Sequence, residues 1–340
     1  MLQVKNQTPF ATHLFLFPDE QGVDTAYVVV KATFELRAGS PPTVAREQHP
    51  VVMADEYWGE PGQSSVKYAN EAHLMKPGTD VVLVGEVHQP RPVESCFVAL
   101  QVGALRKGIQ VFGDRIWQSG VLSPRMSSPI PFRTMPLIYE RAFGGKHEVD
   151  ASQDKLLFDS RNPVGMGFRG KRSASEMVGM RLPNLEDPEH LIGSISDAPA
   201  PVGVGCIAPA WESRRILAGT YDETWQNRRA PYLPLDFRPE FFQVASPGLH
   251  SPRALVGGEP VKLVNLSPAG VLQFQLPVCT YHVSVLLGRT EEKPTLQLET
   301  VLLEPSESRV CMTWRGAVRC DKHVLKVREV HIQLDKLKEA

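Results

Sequence analysis

Period-two alternation of apolar and polar residues runs through both ends of the chain, and it restricts the fold more than any other feature. Over residues 25–37 the even positions read Ala26, Val28, Val30, Ala32, Phe34 and Leu36, while Lys31, Thr33, Glu35 and Arg37 fall among the odd ones. Successive side chains of an extended chain leave opposite faces, so this spacing predicts a strand with one face buried and the other largely wet. The pattern recurs at Cys96, Val98, Leu100 and Val102, and again at Leu272, Phe274 and Leu276 opposed by Gln273 and Gln275. It continues over 295–303, with Leu296, Leu298 and Leu302 inward, and over 309–314, with Val310, Met312 and Trp314 inward. A last strand is predicted over 324–334, and residues 1–9 read as a first strand instead of a secretion signal. Turn sequences such as Ser267-Pro268-Ala269-Gly270 and Glu304-Pro305-Ser306 punctuate these runs at the spacing of a sandwich or barrel.

The expected fold is therefore mainly β. Antiparallel, sandwich-like sheets come from an N-terminal part, 1–125, and a C-terminal part, 255–340, on either side of a loop-rich central segment, 126–254, with few short helices. A single core stops growing near ~250–300 residues, so 340 residues predict two coupled β-rich parts. Pro and Gly crowd the middle, where backbone must be held by side-chain contacts instead of ladders. One helix is predicted over 211–228, with Trp211, Ile216, Tyr221 and Trp225 forming a ragged apolar stripe weakened by Gly219. A short helical turn is predicted after Pro239, and no repeat of fixed period is present.

Composition narrows the function classes. With 42% hydrophobic and 22% charged residues the chain has ordinary globular material for a core. Thirty-seven Lys and Arg against 38 Asp and Glu give a net charge of -1, which supplies no field for gathering nucleic acid or anionic lipid. The densest apolar runs, 81–84 and 283–287, are far shorter than the roughly 18 residues of a spanning helix, so no membrane insertion is expected. Five scattered cysteines without a C-x-x-C pair point to reduced, mostly buried thiols in the cytoplasm.

No catalytic motif emerges. The G-x-S-x-G elbow and the Walker A loop are both missing. Gly165-Met166-Gly167 begins like a dinucleotide fingerprint but follows Asn162-Pro163-Val164, not a strand, and reads as a turn. Ten histidines lack metal-ligand spacing, and Cys206, in Gly203-Val204-Gly205-Cys206-Ile207, has no activating His and reads as a small buried residue. Asp55, Glu56, Glu60 and Glu71 beside Tyr57 and Trp58 could supply the paired carboxylates and platform of a carbohydrate-active enzyme. The simpler reading is an exposed acidic loop with an aromatic anchor. The expectation is a non-enzyme with no cofactor and no metal.

Aromatic and arginine residues embedded in turns are the more conspicuous signal. Tyr139, Glu140, Arg141 and Phe143 precede Gly144-Gly145; Phe168 closes the run from Arg161; Trp211, Arg215, Tyr221, Asp222 and Trp225 cluster further on. Tyr, Trp and Arg dominate protein-binding hot spots because they bury much area at modest entropic cost. These ten residues are the candidate protein-binding set. The alternative is that they pin long loops to the sheets.

At the same residues the chain resembles the bacterial domain-of-unknown-function family 2169. The resemblance is carried by 28–34, by Leu105-Arg106-Lys107 through Val111-Phe112-Gly113-Asp114-Arg115, and by Tyr139-Glu140-Arg141-Ala142-Phe143-Gly144-Gly145. Asn162-Pro163-Val164-Gly165 with Gly167-Phe168, Arg214-Arg215 through 217–222 with Trp225, 233–237 continuing to Phe241-Phe242, and Gly257-Gly258-Glu259 complete it. That resemblance implies a role in type VI secretion, as an adaptor or chaperone that loads a toxic effector onto the spike complex of valine-glycine repeat protein and PAAR-repeat tip. A structural part of the secretion particle is the neighbouring possibility.

Overall fold

The strand predicted from residue 25 onward lies inside the largest sheet: Asp24–Glu35 pairs antiparallel with Ala11–Pro18 on one side and Arg309–Arg319 on the other. The structure is a computed structural model that describes residues 2–150 and 155–338. Beyond Arg309–Arg319 the sheet continues through Gln297–Glu304, Thr79–Leu83 and His250–Ser251, and Thr43–Val44 adds to Asp24–Glu35. A second sheet runs in the order Leu185–Glu186, Leu105–Phe112, Ser95–Val102, Pro260–Val264, Val271–Gln275, and a third in the order Gln3–Gln7, Val327–Lys338, Val278–Leu287, Thr290–Glu292. The protein is mainly β, with several antiparallel sheets. Within these three sheets, two pairings, Thr79–Leu83 with Gln297–Glu304 and Gln3–Gln7 with Val327–Lys338, are parallel.

Each of these three sheets draws strands from both ends of the chain. Val28 and Val30 from the first, Leu100, Ile109 and Leu263 from the second, and Val283, Val330 and Ile332 from the third meet in one apolar core. Among the described residues no helix is long and apolar enough to cross a membrane.

The odd face of Asp24–Glu35 is not wet. Tyr27, Val29, Lys31 and Thr33 are buried, because the segment after the strand folds back and lays Val51 and Leu74 over it. The alternation distinguishes an apolar buried face from a polar buried face. On the polar face Lys31 Nζ lies 2.8 Å from the Glu71 carboxylate, which also accepts the Thr313 hydroxyl at 2.7 Å and the Val52 amide at 2.7 Å. Arg315 Nε donates to Glu299 at 2.7 Å, and Lys76 pairs with Asp80 at 2.8 Å. Buried charges are tolerated where each has a partner and hydrogen bonds, and here they do.

Three further expectations change. In Gln297–Glu304 a register shift between Leu298 and Thr300 reverses the phase, so Val301 and Leu303 point into the core and Leu302 lies on the polar side. A bulge of this kind is invisible to a period-two reading. The last strand begins at Val327, not 324, after the 3-10 helix Asp321–Lys326. The helix expected over 211–228 is two short ones, Glu212–Arg215 and Glu223–Arg228, separated by Gly219 at φ 81°. The first helix ends at Arg215 with Ile216 as its cap, and the left-handed backbone at Gly219 keeps the two from running together. The predicted turn after Pro239 is the 3-10 helix Pro239–Phe242. Cys206, Cys279, Cys311 and Cys320 are buried and Cys96 is half-buried, all unbridged.

Candidate functional site

The two glycine-rich motifs of the central segment interlock. Phe143–Gly144 pairs in parallel with Met166–Gly167, and the bonds Met166 N to Ala142 O (3.0 Å) and Phe168 N to Gly144 O (2.9 Å) fasten the pair. Asn162, fully buried, donates its side-chain amide to the carbonyls of Tyr139 at 2.8 Å and Phe143 at 2.9 Å, and its own carbonyl accepts from Gly145 N at 2.8 Å. Gly144 sits at φ 143°, and a Cβ there would stand 2.1 Å from the Asn162 carbonyl oxygen. Only glycine allows that approach.

Five of the ten candidate residues serve this frame. Tyr139 is buried with its ring edge-on to Trp211, centroids 5.0 Å apart, and burial pushes its phenol well above the usual range. The Glu140 carboxylate accepts the Ser65 amide at 2.6 Å and the Ser65 hydroxyl at 2.7 Å, tying in a loop 75 residues away. Arg141 donates to Asn184 at 2.9 Å and lies 3.4 Å from the Asp114 carboxylate. Phe143 packs with Trp117, Met177 and Leu182 in a separate apolar cluster. For these residues the loop-pinning alternative describes the geometry.

The other four named after Trp211 lie at the surface around the two short helices. Arg215 is exposed, whereas its neighbour Arg214 is buried, donating to Ile207 O at 2.7 Å and Phe241 O at 2.9 Å. Asp222 caps Glu223–Arg228 by accepting the Trp225 amide at 2.8 Å, and Trp225 Nε1 donates to Tyr232 O at 2.8 Å. The Tyr221 ring meets Trp225 edge-on at 4.7 Å and is 54% exposed. Residues 217–220 are tied to 236–238: Arg238 N donates to Leu217 O, and Asp236 accepts from Thr220 N at 3.0 Å and Thr220 Oγ1 at 2.7 Å. The bonded loops present Ile216, 67% exposed, and Leu235, 88% exposed, with Tyr221. A cleft of about 270 Å³ is lined by Phe17, Leu74, Pro231, Tyr232, Leu233 and Phe242, and through the Tyr232 carbonyl it is bonded to Trp225 Nε1. Phe168 stands apart, half-buried in another cleft beside Phe143.

The candidate binding set read from the sequence left out Asn162, Arg214, Ile216 and Leu235, although Ile216 stood in the helical stripe and Asn162 and Arg214 in the motifs of the resemblance. The Asn-Pro dipeptide of Asn162-Pro163 signals a turn and could have drawn attention to Asn162. The exposure of Ile216 and Leu235 has no sequence signal, because apolar residues are buried by default.

The acids of the enzyme reading separate. Glu71 is held in the buried ion pair with Lys31, instead of lying in an exposed loop, and Asp55 accepts the Asn70 amide at 2.7 Å. Glu56 lines a small cleft of about 100 Å³ with Glu304, whose carboxylate is engaged by Arg309 at 2.6 Å and by the Tyr68 hydroxyl at 2.6 Å. Glu60 is exposed. Burial pushes the Cys206 thiol up to about 12, far from a reactive thiolate.

Fold and site together define a mainly β protein whose loop-rich segment is locked by buried polar side chains and presents apolar ones outward. The chain belongs to the family described as uncharacterized protein conserved in bacteria (DUF2169), whose model matches residues 21–315. No curated protein and no solved structure matches it.

Proposed function

We propose that this chain is a non-enzymatic adaptor or chaperone that binds a type VI secretion effector in the cytoplasm and helps load it onto the spike complex of valine-glycine repeat protein and PAAR-repeat tip. The observation that carries the reading is the outward display of Ile216, Tyr221 and Leu235 on loops whose backbone is already tied down. Large apolar side chains exposed on an ordered surface are the kind that protein partners cover, and prior ordering lowers the entropy lost on association. Covering an effector's apolar segment there removes area from water and lowers its aggregation before delivery. Neither nucleic acid nor membrane insertion belongs to this role.

Co-purification with an effector encoded beside the gene tests it. The unaltered chain retains the effector, and Tyr221→Asp combined with Leu235→Asp releases it while unfolding stability stays within about 0.5 kcal/mol. An effector that remains stable, spike-bound and secreted when the chain is deleted contradicts the proposal. Recovery of the chain in secreted particles supports instead a structural part of the particle.

A further inference from the structure

The cleft beside the interlocked glycine motifs has a chemistry of its own. Its volume is about 540 Å³, and its apolar lining is Phe143, Leu157, Phe158 and Phe168, with Phe158 51% exposed. Its rim carries Arg169, Lys171 and Arg172. Arg169 Nε donates to the Arg172 carbonyl at 2.9 Å, and Arg172 donates to the carbonyls of Phe168 at 2.9 Å and Lys146 at 3.2 Å. These bonds orient the guanidinium groups without neutralising them. Among the described residues no carboxylate pairs with any of the three cations. The acid in the lining is Asp197, whose Oδ2 accepts the Gly193 and Ser194 amides at 2.9 Å each. Three cations line the cleft against one carboxylate, and Glu176, bonded to Ser173 outside the lining, acts on Arg172 from further away.

Among the described residues, the strand bordering it also has one edge that pairs with no other strand. Lys155–Phe158 pairs with Lys146–Asp150 in a sheet of two strands. Such a hairpin gains stability from a third strand, and main-chain pairing along an open edge is a recurring way of holding extended peptides.

We propose that this cleft takes an extended peptide segment of a partner protein, with an aromatic or aliphatic anchor flanked by Asp or Glu. The anchor fills the space over Phe143, Phe158 and Phe168, and the flanking carboxylates meet Arg169, Lys171 and Arg172 in charge-assisted hydrogen bonds. A duplex nucleic acid needs a broad basic field, whereas here three cations border an apolar floor on a chain of net charge -1. The inference rests on the cleft alone and stands whether or not the adaptor reading does.

Selection of random twelve-residue peptides displayed on phage against the full-length chain, followed by fluorescence anisotropy of an enriched peptide, tests it. Enriched peptides carry an aromatic or aliphatic residue between acidic ones. Arg169→Glu with Lys171→Glu weakens binding by about tenfold or more, and so does raising NaCl from about 50 to about 300 mM. Phe158→Asp also weakens it, whereas Leu235→Asp, on the other surface, leaves it unchanged. Arg172 is kept, since its guanidinium braces the carbonyls of Phe168, Arg169 and Lys146. Failure to enrich, a consensus without acids, or binding indifferent to the charge reversal overturns the inference. So does tighter binding of a short DNA duplex or of phosphatidylserine vesicles that the same variants abolish.

Discussion

The side-chain amide of Asn162 donates to the main-chain carbonyl of Tyr139 at 2.8 Å, and that bond, made where no water reaches, joins the two glycine motifs of the central segment. The same amide reaches the Phe143 carbonyl, so one side chain satisfies two buried acceptors. Asn162→Ala strands both and is expected to lower unfolding stability by about 2–4 kcal/mol in urea denaturation. An unchanged urea midpoint would show that the interlock does not hold the segment.

Lys31 and Glu71 form a buried ion pair between the central sheet and the segment that covers it. Removing one partner leaves the other charged and desolvated, so Lys31→Met is expected to cost about 3–5 kcal/mol. Adding Glu71→Gln sets its oxygen to accept the Val52 amide and its NH2 to donate to the Thr313 hydroxyl oxygen while deleting the orphaned charge, and recovers about 1 kcal/mol or more. A double-mutant cycle with no coupling refutes the pair's contribution.

His73 carries a pH dependence. Burial first, then the charges of Arg315, Lys76 and Arg214, hold its imidazole well below the ordinary 6.5, while its ring stacks on Phe242 at 5.4 Å. The neutral ring fits: Nδ1 donates to the Leu74 carbonyl and Nε2 faces Arg315 Nη2 at 3.4 Å. Because the folded-state value is depressed, the unfolded chain takes the proton first. The contribution is complete above pH ~6.5 and is lost as pH falls from there toward the folded value, at up to about 1.4 kcal/mol per pH unit. Urea midpoints at pH 7.5 and 5.0 should therefore differ more for the unaltered chain than for His73→Met; equal differences would refute the assignment.

Gly219 divides the two short helices. Its φ of 81° disfavours any Cβ, which would also stand 2.8 Å from Pro234 Cβ and 3.0 Å from Asp236 Oδ1. Gly219→Ala is expected to destabilise by about 1–2 kcal/mol. Circular dichroism separates the cases: an increase in helical signal with no loss of stability would mean that the helix runs through.

The β character was legible because period two is a local property. Val28, Val30, Ala32 and Phe34 point one way wherever the strand is placed, and the core accepts that face. The aromatic and arginine motifs were legible as residue types, but not their division of labour. Tyr139 and Trp211 went inside while Tyr221 stayed out, although both tyrosines stand in glycine-containing turns. Arg214 and Arg215 are adjacent and of one chemistry, and one turn of helix assigns the first to the Ile207 and Phe241 carbonyls and the second to solvent.

The sequence by itself determined that this chain builds pleated sheets around an apolar core, because the two faces of a strand are written into alternate residues. Only the tertiary structure decided what covers the second face, since Lys31, Thr313 and Glu71 are polar and look equally suited to water until the chain brings the Lys31 charge to the Glu71 carboxylate across 40 residues and the Thr313 hydroxyl to it across 242. The same holds for the surface around Ile216, Tyr221 and Leu235 and for the basic-rimmed cleft at Phe158. A local pattern sets which way a side chain points, but whether another segment arrives to meet it depends on contacts far apart in the chain.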